Sequence, residues 1–98
     1  MAEGSAFGRE YGCTEVEWLR WLPHAVREHA LSLIEPGAAQ VAIGSGSLCL
    51  RWTVLPPRQI ALMRLPRLQV SFGFEAVDEA AQREFLRYFD LYLQRGGG

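Results

Sequence analysis

Val16, Leu19, Leu22, Val26, Ala30 and Leu33 step by three and four along the chain, while Glu17, Arg20, His24, Arg27, Glu28 and Glu35 fall mostly on the opposite side. That period predicts one amphipathic helix, and Thr14-x-x-Glu17 has the capping-box spacing that would start it. Pro23 lacks an amide hydrogen and its ring collides with the Leu19 carbonyl, so a kink is expected there. The alternative makes 15–21 a strand and starts a helix with Pro23 at its first position, although neither face of such a strand is cleanly apolar. Residues 1–13 contain Gly4, Gly8 and Gly12 without an apolar period and read as a flexible tail.

After Pro36-Gly37 the period changes to two. Val41 and Ile43 share a face, and Gly44-Ser45-Gly46-Ser47 is a tight-turn sequence. Leu48, Leu50, Trp52 and Val54 then alternate with Cys49, Arg51 and Thr53, which completes a β-hairpin. Pro56-Pro57 is expected to break the second strand. Residues 58–65 fit either a short strand or a helix and are assigned to a short strand, which Pro66 separates from the next apolar run. In that run Leu68, Val70, Phe72 and Phe74 alternate with Gln69, Ser71 and Gly73 as a half-buried strand. Asp78 is a good N-cap for a last helix that Gly96 can stop.

These elements give a two-layer α+β domain over 14–95, with a glycine tail at 96–98. A three- to four-stranded antiparallel sheet carries the N- and C-terminal helices on one face, in the order α-β-β-β-α. Trp52, Val54, Val70, Phe72, Phe85 and Phe89 are expected at the centre of the core.

With 98 residues and 11.0 kDa the chain has room for one such domain. All ten basic residues are Arg, with no Lys or Asn, which fits the codon bias of a GC-rich bacterial genome better than selection for guanidinium. No window approaches the ~18 apolar residues of a membrane span, and the N-terminus has no secretory pattern, so no membrane partner and a cytoplasmic location are expected.

Catalytic constellations are absent from the pattern. Cys13 and Cys49 form no CxxC and read as free thiols. His24 and Glu28, at i and i+4, supply only two ligands for a metal, and His29 points about 140° away. No phosphate loop or dinucleotide fingerprint occurs. No catalytic residue, metal or cofactor is therefore assigned.

Charge is segregated: residues 1–35 carry a net −3, 36–74 carry Arg51, Arg58, Arg64 and Arg67 with no acid, and 75–98 carry −2. The alternation places Arg51, Arg67, Gln69 and Ser71 on the sheet face that the helices leave open, a candidate site for a small anion. That row lacks aromatic platforms for bases, which argues against nucleic acid. Phe85, Tyr88, Phe89, Tyr92 and Leu93 give the last helix more apolar girth than one sheet can bury, a candidate surface for a protein partner or a second copy. The leading expectation is a non-catalytic, self-associating interaction module, with small-ligand or anion binding as the alternative. The terminal Leu93-Gln94-Arg95-Gly96-Gly97-Gly98 resembles the Leu-x-Arg-Gly-Gly tail of ubiquitin-like modifiers and their sulfur-carrier relatives. Over those six residues the resemblance implies a carrier activated at its terminal glycine. It departs from that pattern in its third glycine and in leaving a helix rather than a strand.

Overall fold

A computed structural model describes residues 4–94. The Thr14 hydroxyl accepts from the Glu17 amide at 3.1 Å and the Glu17 carboxylate accepts from the Thr14 amide at 2.9 Å, so the capping box forms and starts α1 (Glu15–Ala25). The strand alternative for 15–21 is thereby excluded. The helix stops well short of the span its period suggests. Val26 caps it, Arg27 turns into the left-handed region at φ 57°, and Leu31–Glu35 becomes strand β2. Pro23 lies in the last turn, where little helix remains beyond its missing donor. The apolar steps at Ala30 and Leu33 belong to no helix: a neighbouring strand supplies backbone partners there, and tertiary pairing overrides the local pattern.

The remaining elements are β1 (Gly4–Tyr11), β3 (Ala38–Ile43), β4 (Gly46–Ile60), β5 (Met63–Glu75) and α2 (Glu79–Tyr92). The fold is a small α+β domain with one five-stranded antiparallel sheet, in the order β1-β5-β4-β3-β2, and two helices. Residues 4–11, expected as a tail, form an edge strand beside β5. With β2 this raises the strand count above three to four and changes the element order to β-α-β-β-β-β-α.

The β3–β4 hairpin forms as its alternation predicts. Ile43 pairs with Gly46 across a two-residue loop in which Gly44 has φ 59°. A Cβ on Gly46 would lie 2.2 Å from the Ala76 carbonyl oxygen, so only glycine lets β4 begin against that turn.

The core lies on the face carrying Leu48, Leu50, Trp52, Leu68, Val70, Phe72 and Phe74. Trp18 of α1 meets Trp52 edge-on at 5.7 Å, and Phe85 and Phe89 of α2 meet Phe74 and Phe72 at 6.2 and 5.7 Å. Both helices therefore cover this one face. From β1, Phe7 stacks on Phe72 at 4.8 Å. Five of the six residues expected at the centre are buried. The exception is Val54, which is exposed because β4 has by then left the cover of the helices.

Neither Pro56-Pro57 nor Pro66 ends its strand. Leu55 pairs with Arg67 and Arg58 with Leu65, so two prolines of β4 stand opposite one of β5 in a bulge. All three fall where the ladder lacks a paired residue, which is where a sheet tolerates a missing amide hydrogen. Pairing resumes beyond the bulge through Ile60 and Met63, across the two-residue loop Ala61-Leu62, with Ala61 at φ 54°.

Candidate functional site

Each sequence-predicted site residue has a definite place. Arg51, Gln69 and Ser71 do share the open sheet face with Arg67, Arg51 opposite Ser71 and Leu55 opposite Arg67. The two guanidinium groups, however, have partners within the chain. Arg51 donates to Glu35 at 2.9 Å. Arg67 grips Glu10 with two parallel bonds, Nε to Oε2 at 2.9 Å and Nη2 to Oε1 at 3.0 Å. These bonds hold the Glu10 carboxyl below its ordinary range, and both guanidinium groups above theirs. An anion would have to displace a carboxylate at either position.

On α2, Phe85, Phe89 and Leu93 are buried and Tyr92 is half-buried, stacked with His24 at 6.1 Å. Tyr88 lies under the Arg27 guanidinium at 4.3 Å. The helix's girth is taken up from three sides. The sheet covers one, α1 and the segment after it a second, and β1 a third through Arg9–Asp90 and Ser5–Gln82 pairs. Sequence reasoning counted one sheet face because it did not include β1. Of the large apolar side chains here, only Tyr88 and Leu91 are exposed, at 37% and 43%. Arg95 and Gly96 to Gly98 lie outside the described residues.

His24 and Glu28 do not share a helical face, since α1 ends at Ala25. His29 meets the Ala42 carbonyl at 3.1 Å through Nδ1 and packs edge-on against Phe85. Among the described residues no group of three or more His, Cys, Asp or Glu is placed to hold a metal. Cys13 is buried in the wall of a cleft of about 250 Å³ with Tyr11, Trp18, Trp21 and Leu93. Burial pushes its thiol up to about 11, and the Glu17 carboxylate acts in the same direction, so it is neutral at pH 7.

The feature that sequence reasoning missed is the far half of the β4–β5 hairpin. β3 accompanies β4 only to Arg51, and β1 accompanies β5 only to Leu68. Beyond those rows the two strands pair with each other alone, and they project about 20 Å at ~3.3 Å per residue. The molecule is correspondingly long, with extents of 50 × 23 × 21 Å. Its radius of gyration is 14.0 Å, against about 12.5 Å for a compact domain of this length.

Apolar side chains crowd the end of this arm. Leu62 is 98% exposed, Met63 60% and Ile60 50%. Register puts Ile60 opposite Met63 and Arg58 opposite Leu65 on one face, continuous with Leu55 and Arg67. Glu10, at the end of β1, ties the base of that face: it holds Arg67 and lies 3.9 Å from Arg58, while Arg67 Nη1 also donates to the Pro56 carbonyl at 3.4 Å. The signal available in the sequence was the apolar run Ile60-Ala61-Leu62-Met63 between two arginines. It was hidden by the prolines, which suggested that the strand stops.

No helix among the described residues is long and apolar enough to cross a membrane. No known protein-family model matches the chain, and no curated protein matches it in sequence.

Proposed function

We propose that this protein is a non-catalytic interaction module that self-associates, and that its recognition element is the β4–β5 arm rather than α2 or the arginine-bearing sheet face. The observation that carries this reading is the row of exposed apolar side chains at the arm's end, Ile60, Leu62 and Met63. A two-stranded ribbon with no layer behind it is marginal in water, and apolar side chains held out on one gain from being covered. At roughly 25 cal/mol per Å² of apolar surface removed from water, covering three such side chains favours association by a few kcal/mol. The anion-binding alternative is weaker, because Arg51 and Arg67 already bind Glu35 and Glu10.

Sedimentation equilibrium of the intact chain tests the reading. The wild type should show a concentration-dependent mass above 11.0 kDa, and the double variant Leu62→Ser, Met63→Ser should remain a monomer with its melting temperature unchanged. A wild-type chain that stays monomeric to millimolar concentration sinks the proposal.

A further inference from the structure

Resting on the arm as the recognition element, but not on self-association, we infer that its tip docks on the surface of an anionic lipid bilayer. Between Thr53 and Arg67 the chain holds three arginines, Arg58, Arg64 and Arg67, and no acid. Glu10 is the one carboxylate paired with any of them among the described residues: Arg67 grips it, and Arg58 stands 3.9 Å away. Arg64 is exposed and lies opposite Gln59, which puts it on the other side of the ribbon from Arg58 and Leu65. Three guanidinium groups against one carboxylate leave the arm at +2.

The order of groups along the arm suits the boundary between headgroups and acyl chains. The Ile60–Met63 row and the Ala61-Leu62 loop form an apolar cap. At ~3.3 Å per residue Arg64 lies about 3 Å behind that row, Arg58 about 7 Å and Arg67 about 13 Å. Ile60, Leu62 and Met63 can therefore dip among acyl chains while arginines on both sides of the ribbon meet lipid phosphates, which guanidinium groups bind with paired hydrogen bonds. Only the cap need enter, so the open edges of the ribbon stay in the hydrated headgroup layer. Such a contact needs no membrane-spanning helix, and the described residues contain none.

Shape and charge together select this occupant. Ile60 and Met63 share one face while Leu62, 98% exposed, stands off the end. A flat protein surface could not cover all three, whereas a fluid boundary closes around a convex tip. Nucleic acid would meet the arginines but leave the apolar cap in water, and residues 53–67 hold no aromatic side chain on which a base could stack. Arm length supplies the last condition. The whole chain carries −1, so everything outside these three arginines and Glu10 carries −3 and is repelled by an anionic surface. An arm of about 20 Å holds that charge roughly two Debye lengths away at physiological salt, where one Debye length is ~8 Å.

Co-sedimentation of the intact chain with extruded vesicles is the test. At low salt it should bind phosphatidylcholine vesicles containing about 30% phosphatidylglycerol roughly tenfold or more tightly than phosphatidylcholine alone. Leu62→Ser with Met63→Ser, and separately Arg58→Gln with Arg64→Gln, should each weaken that binding by about tenfold or more. Both pairs are exposed and should leave the melting temperature unchanged. In nanodiscs of the same anionic mixture carrying a nitroxide on the acyl chain, broadening of the ¹⁵N-enriched wild type should fall on amides 60–64. Equal binding to both vesicle types, no binding to either, or broadening centred on α1, α2 or the sheet overturns the inference. Binding that the serine pair leaves unchanged is adsorption by charge alone and overturns it too. Polyglutamate or a single-stranded oligonucleotide bound more tightly than the anionic vesicles would give the arm a different partner, with the same consequence. Sedimentation equilibrium without lipid keeps the two readings apart. Association in lipid-free buffer with no vesicle binding removes only this inference, and a lipid-free monomer that binds vesicles removes only self-association.

Discussion

Phe89→Ala separates an interior α2 from an interactive one. The Phe89 side chain is fully buried, with ring centroids 6.1 Å from Trp18, 5.7 Å from Phe72 and 5.6 Å from Phe85. It therefore joins both helices to the middle of the sheet. Removing a buried phenylalanine costs about 3–5 kcal/mol, a figure that includes the lost aromatic pairs. A domain of this size has roughly 5–15 kcal/mol in total. At about 4–8 °C per kcal/mol, the melting temperature should fall by at least ~12 °C. One position earlier, Tyr88 is partly exposed and touches the Arg27 guanidinium, so Tyr88→Ala should cost only about 1 kcal/mol. Urea unfolding followed by far-ultraviolet circular dichroism measures both, and Phe89→Leu provides a milder variant should the alanine fail to fold. If Phe89→Ala costs less than about 1 kcal/mol and instead abolishes self-association, α2 is the contact surface and the placement of the core on it is wrong.

Two other single sites give sharp expectations. Gly46→Ala would place a methyl group 2.2 Å from the backbone oxygen of Ala76, and backbone cannot swing aside as a side chain can. It should cost more than about 2 kcal/mol in urea unfolding, as overpacked positions do, whereas Gly44→Asn, at φ 59° with open space around it, should be nearly neutral. Cys13 should resist alkylation at pH 8 while Cys49 reacts, because Cys13 is buried and its thiol is held at about 11. With a folded pKa above the ordinary 9.0, the neutral thiol stabilises the fold below pH 9. That contribution, at most about 2–3 kcal/mol, is lost as pH rises from 9 through about 11. A Cys13→Ser variant with the same alkaline decline as the wild type would assign the loss to another group.

Anion binding at Arg51 and Arg67 looked plausible from the sequence because charge is segregated along the chain, with no acid between residues 36 and 74. In space, carboxylates from outside that segment reach two of its four arginines, Arg51 and Arg67. Glu35 arrives from β2 and Glu10 from β1, the two edge strands, and each closes on an arginine of a central strand. Neither edge strand announces itself in the local pattern, so neither carboxylate could be matched to its arginine. The cover of α2 comes in part from the same edge strand, since β1 contributes the Arg9 and Ser5 contacts.

What the sequence determined by itself was whatever short-range chemistry decides. A hydroxyl or carboxylate three residues before an amide makes a cap, so Thr14 and Asp78 mark the helix starts without help from the rest of the chain. A glycine that can take positive φ between two alternating runs makes a hairpin, and period-two alternation fixes which side chains face inward at 48–52 and 68–74. Tertiary structure decided the segments whose backbone partners are distant or whose local signals conflict. β1 is a strand because β5, some sixty residues later, pairs with it, and its own glycines hid Phe7, Arg9 and Tyr11 on alternate positions. Residues 31–35 left the helical period for β3, and three prolines that read as stops became one bulge because pairing continued on both sides of it. Exposure of Ile60, Leu62 and Met63 is likewise a tertiary property: an apolar run has the same letters inside a core or at the end of an arm, and only where the neighbouring strands stop tells them apart.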